Sequence, residues 1–299
     1  MTRTLCAAIA ALLIGTAARA QELEARAYLP APIGTTIVLA GFGGSKGDIL
    51  FDQSVNVTDV QADLTITHVG AGYVFDLAGR QARILGIFPN AFGTIAGEVG
   101  GQPESQDVAG LVDPRIKFTI GLLGAPALSP GQFARATRRT VVGASVTVMA
   151  PIGQYSSSQL VNLGYNRWAF KPEVGASRTI ARWTVETYAG VWLFTDNHAY
   201  FPGNLVKEQD PIVSLQGNVS YALPRRVWVA LLGTWFGGGE TRTNGTPNPD
   251  EQRNARFGVT VSLPLAARQS LKVVWSTGAT TRRGSDFDSF TITWQLVKF

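Results

Sequence analysis

The stretch IVSLQGNVSYAL, Ile212 to Leu223, decides how this chain folds. Val213, Leu215, Val219, Tyr221 and Leu223 share one parity with Gly217, while Ser214, Gln216, Asn218 and Ser220 share the other. A period of two is that of a β-strand, and unlike faces mean unlike surroundings on its two sides. The same alternation recurs along the chain. Phe257, Val259, Val261 and Leu263 oppose Arg256, Thr260 and Ser262; Leu271, Val273 and Trp275 oppose Ser270, Lys272 and Ser276; Ile116, Phe118 and Ile120 oppose Arg115, Lys117 and Thr119.

A soluble sandwich also has one dry and one wet face, so alternation alone leaves two classes open. Arm length separates them. Sandwich strands run about five or six residues, whereas a strand crossing a bilayer needs ~9–11. The arms from Thr140 to Ile152, Thr184 to Asp196 and Val227 to Gly238 are of the longer kind. Connections alternate between short, such as Pro224-Arg-Arg226, and long, such as Gly44 to Ala62, Gly97 to Gly110, Gly153 to Asn166, Asp196 to Gln209 and Gly239 to Gln252. Short periplasmic turns and long external loops belong to outer-membrane barrels.

The fold expected is therefore all-β, a single antiparallel transmembrane β-barrel of about 12 strands. Its strands are placed at 35–43, 65–75, 81–93, 113–123, 140–152, 167–179, 183–195, 211–223, 227–237, 253–263, 270–281 and 288–299. Strands 35–43, 81–93 and 227–237 have no clear lumen or lipid face. Ser129-Pro130 reads as an N-cap and first-turn proline, so a short helix is expected in the 125–138 connection, about 130–136. Tyr28, Trp168, Trp183, Tyr221, Trp228 and Trp294 are candidates for interfacial girdles. Phe299 is read as the terminal aromatic signal used by the outer-membrane assembly machinery, with a phase shift near 296–297 that suggests a bulge.

The N-terminus fits that address. Arg3, an apolar run from Leu5 to Ala18 and the A-x-A site Ala18-Arg19-Ala20 read as a signal peptide spanning 1–20. Residues 21–34 form an N-terminal periplasmic segment, either folded into the periplasmic mouth or left as a tail, and 35–299 form the barrel. Cleavage removes Cys6, the one cysteine, and with it disulfides and thiol ligands. The remaining charge is about +3 and scattered, which speaks against a nucleic-acid partner. Outer-membrane lipid and a small-molecule solute are the partners expected.

Several segments resemble a known family: ELEARAYLPAPIGTT, DLAGR, DPRIKF, LLGAPALSPGQFA, APIGQY with LVNLGYNRWAFKPEVGAS, ETYAGVWLFTDN, EQDPIVSLQGNVSY and SLPLAARQSLKVVWSTGATTRRGSDFD. They span nearly the whole chain in order. The sequence is similar to the outer-membrane β-barrel transporters linked to the meta-cleavage pathway of phenol degradation. The resemblance implies a transporter in the outer membrane and leaves the solute open.

Catalysis finds little support. Gly43-Gly-Ser45-Lys-Gly47 matches G-x-S-x-G, but a nucleophile elbow needs a strand, a sharp turn and a helix, and DILFDQSVNVTD does not read as helix. The segment reads instead as a glycine-rich loop tip. Neither His68 nor His198 has a serine two positions away, and Asp196 with His198 reads as a solvated loop edge. No metal-binding or cofactor motif appears, so no enzyme, cofactor or metal is expected. By parity the lumen carries Arg115, Lys117, Lys171, Glu173, Glu186, Arg256 and Lys272, with Ser145, Thr147, Ser214, Gln216, Asn218, Ser220 and His68. These residues either line a water-filled path or brace the wall as neutral pairs. Three roles follow: passive uptake of small hydrophobic or aromatic compounds, a channel for small anions or acidic oligosaccharides, or a structural or adhesive barrel without transport.

Overall fold

The computed structural model describes residues 24–50, 57–99, 102–137, 140–159, 161–201, 203–281 and 284–299. The signal-peptide reading of 1–20 lies outside the described residues. In chain order the strands are β1 (Thr36–Leu50), β2 (Val57–Leu77), β3 (Arg80–Val99), β4 (Gln102–Leu111), β5 (Arg115–Leu123), β6 (Val141–Met149), β7 (Ala169–Ile180) and β8 (Trp183–Phe194). They continue with β9 (Asn197–Tyr200), β10 (Leu205–Gln209), β11 (Ile212–Ala222), β12 (Trp228–Gly238), β13 (Thr241–Thr243), β14 (Thr246–Pro247), β15 (Gln252–Ala266), β16 (Gln269–Thr280) and β17 (Gly284–Lys298).

Pairing runs β1-β2-β3-β5-β6-β7-β8-β11-β12-β15-β16-β17 and returns to β1, closing an antiparallel barrel of 12 strands. Closure leaves the ring without an unpaired edge, which hydrocarbon would not tolerate. The helix α1 (Pro130–Arg135) lies in the expected connection, with Ser129 as N-cap and its backbone N–H donating to the Gln132 side chain at 3.0 Å. Alternation sorts the two surfaces. Phe42 and Leu231 are 57 % and 66 % exposed, along with Val69, Val185 and Leu215, and these apolar side chains form the outward belt.

Three ambiguous strands now have their facing. Ile37 and Leu39 of β1 share the inward parity of buried Ser45, and Val38 and Phe42 point out. Leu85 and Ile87 of β3 share the parity of buried Gln81 and Ala91, with Ile84 and Phe88 outside. Leu232 and Phe236 of β12 are buried, with Leu231 and Trp235 outside.

Several expectations are corrected. The glycine-rich tip is no loop: Gly43 to Gly47 lie inside β1, paired on both sides. Nor is 97–110 a loop, because β3 continues to Val99 and β4 returns beside it. β2 and β3 have 21 and 20 residues, against nine in β5 and in β6, so one side of the wall rises far above the other. At ~3.3 Å per residue along a tilted strand, the long side exceeds the ~25 Å apolar band of such barrels. No bulge occurs near 296–297, since β17 pairs with β1 without a shift from Lys298 to Gly284. Val297 simply continues the inward parity opposite Ile37. The loops at 196–209 and 239–252 fold as well: β9, β10, β13 and β14 make a second, four-stranded sheet outside the barrel. Asp210 and Arg242 brace its base through paired hydrogen bonds of 2.8 and 2.9 Å, and the Asp210 carboxylate raises the Arg242 guanidinium above its ordinary pKa.

Candidate functional site

The lumen is filled from two ends. From the N-terminal side, residues 24–32 enter the barrel and pack mainly against one half of its wall. Two glycines make that possible. Gly143 on β6 and Gly175 on β7 are direct cross-strand partners, and Gly121 on β5 continues the row. The Tyr28 ring occupies the missing side-chain space: a Cβ on Gly175 would fall 2.3 Å from Tyr28 Cε2, and one on Gly143 would fall 2.7 Å from Cδ1. Tyr188 closes the seat with its ring centroid 5.1 Å away. Tyr28 and Trp228, expected at the membrane interface, therefore face inward. Arg26 stacks on the Trp228 ring at 4.4 Å.

Polar groups of the wall hold the segment's backbone. The Arg26 N–H donates to Glu186 Oε2 at 2.7 Å, and the amides of Gln216 and Asn218 each donate to the Glu24 carbonyl at 3.1 Å. Tyr28 donates its hydroxyl to Glu173 Oε1 at 3.0 Å and shares a bond of 2.8 Å with Ser145. Burial first, then the Glu173 charge, raises the Tyr28 hydroxyl above the usual tyrosine range, so it remains a neutral donor. Lys171 pairs with Glu173 at 2.6 Å, and Lys117 reaches Glu173 at 3.3 Å and Glu24 at 3.6 Å. A buried carboxylate between two ammonium groups satisfies the rule that buried charges are paired. Of the residues assigned to the lumen by parity, Lys117, Lys171, Glu173, Glu186, Gln216 and Asn218 thus form a socket for the N-terminal segment. Arg256 sits apart, buried, and donates to the Phe287 carbonyl.

From the outer side, the loop after β6 turns inward. Asp113, 1 % exposed between β4 and β5, accepts the backbone N–H groups of Gly153 at 2.8 Å and Tyr165 at 2.7 Å. Gly153 and Gly164 touch backbone to backbone, leaving no room for a Cβ on either. That crossing carries Leu163 into an apolar cluster with Leu64, Ala91, Ile95, Val108 and Phe287, backed by Ile66, Val112 and Val161. The connection expected as an external loop, Gly153 to Asn166, is therefore partly a constriction. Sequence reasoning missed Asp113, which sits in DPRIKF without any motif.

Further lumen-facing residues lie on β1, β2, β3, β16 and β17, and the segment reaches this side too: the Ala31 N–H donates to Gln81 Oε1 at 2.8 Å, Arg83 donates to the Ala27 carbonyl, and Glu24 and Arg26 act electrostatically on Lys272. Leu39, Ile66, His68, Leu85, Ile87, Lys272 and Thr293 are all partly accessible, and so is Arg115 at the outer end of β5. His68 Nε2 lies 3.1 Å from Thr293 Oγ1, and Lys272 is the cross-strand partner of Thr293. Gly43, Ser45 and Gly47 are strand residues beside this surface and form no nucleophile elbow. Asp196 is exposed just before the outer sheet, and His198 is exposed within its strand β9. Among the described residues no group of His, Cys, Asp and Glu could hold a metal ion.

A family model described as "Putative MetA-pathway of phenol degradation" matches residues 46–294. Among curated proteins, none matches the chain. Among solved structures, an outer membrane channel from Pseudomonas putida F1 is similar, with a TM-score of 0.76 at 20% identity, covering 93% of this chain and 100% of that one. The β domain of the Bordetella autotransporter Brka is similar at a TM-score of 0.52 and 11% identity, covering 88% and 99%. The NanC porin follows at 0.51 and 7%, covering 88% and 100%. At these identities the likeness concerns the fold.

Proposed function

The chain belongs to the MetA-pathway phenol-degradation family, and from that premise we propose that it is a passive outer-membrane channel for small hydrophobic or aromatic compounds. The observation that carries this reading is the apolar collar inside the outer half of the lumen. A pore for sugars or inorganic ions is lined by polar groups along its length. Here Leu64, Ile66, Ile95, Val108 and Leu163 meet at the outer end, and Leu39, Leu85 and Ile87 continue down the accessible wall. Such a surface favours a solute with an apolar body, because each buried CH₂ contributes about 0.8 kcal/mol.

The N-terminal segment narrows the path on the opposite side, where wall side chains hold its backbone. Arg115 and Lys272 give the remaining corridor a basic side, which supports a small-anion reading beside the first. Fewer hydrogen-bonding groups are available there for an acidic oligosaccharide.

The test is conductance of the purified protein in planar bilayers, paired with uptake of a solute panel into liposomes. The reading expects uptake of small aromatic solutes above that of sugars of equal size. A silent barrel that also admits no aromatic solute overturns transport and leaves the structural or adhesive role.

A further inference from the structure

The accessible wall carries a flat polar row set into an apolar bed, and three glycines produce it. Gly41 lies between His68 on β2 and Thr293 on β17, paired with both. A Cβ there would fall 2.5 Å from His68 Cε1, so the imidazole lies across β1 to reach the threonine hydroxyl at 3.1 Å. Lys272 on β16 extends the row by one strand. On the adjacent row Leu39 leans over Gly70, where a Cβ would fall 2.8 Å from Leu39 Cδ1, and Leu85 leans over Gly72.

Lys272 differs from the other lumen lysines. Lys117 and Lys171 are paired with Glu173. Among the described residues no carboxylate forms an ion pair with Lys272, although its side chain is partly accessible. Glu24 and Glu186 act on Lys272 from beyond ion-pair distance, and Arg83 and Arg26 offset them, so the ammonium still attracts an anion and suits one of single negative charge.

We propose that Lys272, Thr293 and His68 form a binding step for small monocarboxylates that carry an apolar ring, with Leu39 and Leu85 as the bed for that ring. The proposal rests on the channel reading for its place in transport, but the binding step itself does not depend on conduction. The carboxylate takes the Lys272 ammonium and the Thr293 hydroxyl. The ring covers Leu39 and Leu85 after passing the collar at Ile66. A neutral aromatic alcohol lacks the charge, and acetate lacks the ring.

The experiment uses benzoate as probe, with benzyl alcohol and acetate beside it, on the full detergent-purified chain. Calorimetry measures binding, and benzoate-dependent interruption of current in planar bilayers measures passage. Wild type is expected to bind benzoate at least tenfold more tightly than either comparison solute. Lys272→Gln is expected to weaken benzoate roughly tenfold or more, the loss of one charge-assisted contact, and Lys272→Arg to restore most of it. Benzoate binding that depends on Lys272 in a barrel passing no current overturns the channel reading and keeps the site. Conduction with equal affinity for benzoate and benzyl alcohol, or an unchanged affinity in Lys272→Gln, overturns the site and keeps the channel.

Discussion

Tyr28 lies on Gly175 so closely that a Cβ at that glycine would come within 2.3 Å of its ring. The contact makes Gly175→Ala a direct test of the N-terminal segment's docking. The β7 backbone has no need of a glycine there in conformational terms, because Gly175 is not among the residues with positive φ. The added methyl overpacks the seat at a cost of about 1–3 kcal/mol, so the docking equilibrium constant should fall roughly five- to hundredfold. Single-channel conductance is expected to rise with more frequent open events. Conductance identical to wild type would mean that Tyr28 does not restrict the path.

Glu173 predicts a different failure. It neutralises Lys117 and Lys171 and holds the Tyr28 hydroxyl. Glu173→Gln leaves two buried ammonium groups without that carboxylate, at a cost of up to about 3–5 kcal/mol. The barrel should lose its heat resistance on gels at a lower temperature than wild type. Lys272→Gln breaks no ion pair among the described residues and should leave that temperature nearly unchanged. Reversal potentials measured under a salt gradient should shift towards lower anion preference in Lys272→Gln and hardly at all in Lys117→Gln. Equal shifts in the two lysine variants would contradict the division of the lumen into socket and corridor.

The fold was legible in the sequence where bilayer physics imposes it. Ile212 to Leu223 alternates because one face meets lipid and the other meets polar lumen groups. Above the bilayer that constraint ends. Lys46 and Asp63 are cross-strand partners on the outer surface of β1 and β2, joined by an exposed ion pair of 3.7 Å. With charges and glycines there in place of apolar residues, the upper parts of β1 and β3 read as loops. Strands 35–43 and 227–237 were ambiguous for the opposite reason: inside the lumen Leu39 lies over Gly70, and Leu232 packs with Ala25, Ala230 and Trp228, so both faces are apolar. Inward parity picked out Lys117, Lys171, Glu173 and Glu186, but parity says nothing about partners. The seat for Tyr28 left one readable trace, since Gly121, Gly143 and Gly175 all fall on the inward parity of adjacent strands.

Asp113 should control the outer constriction. Its two carboxylate oxygens each accept one backbone N–H of the inward loop. Hydrogen bonds to a charged group contribute about 1.5–3 kcal/mol each. Asp113→Asn keeps one carbonyl acceptor and should speed amide exchange at Gly153 or Tyr165, whereas Asp113→Ala should speed both, by roughly tenfold or more. Hydrogen exchange of the detergent-solubilised protein measures this directly. Undisturbed protection of both amides in the alanine variant would show that Leu163 and its apolar neighbours hold the loop unaided.

Removal of residues 24–30 separates the two fillings of the lumen. The deletion vacates the seat over Gly143 and Gly175 and frees Glu186, Gln216 and Asn218 from the backbone they hold. Water can hydrate those groups once the space opens, so the wall loses less than a dry cavity would cost. Conductance of the shortened chain is expected to exceed wild type severalfold, because the polar half of the lumen then carries ions. Benzoate should block a smaller fraction of the larger current, since its bed of Leu39 and Leu85 lines only part of the widened lumen. An unchanged conductance would place the limiting constriction at Leu163, and Asp113→Ala in the shortened chain should then open the pore.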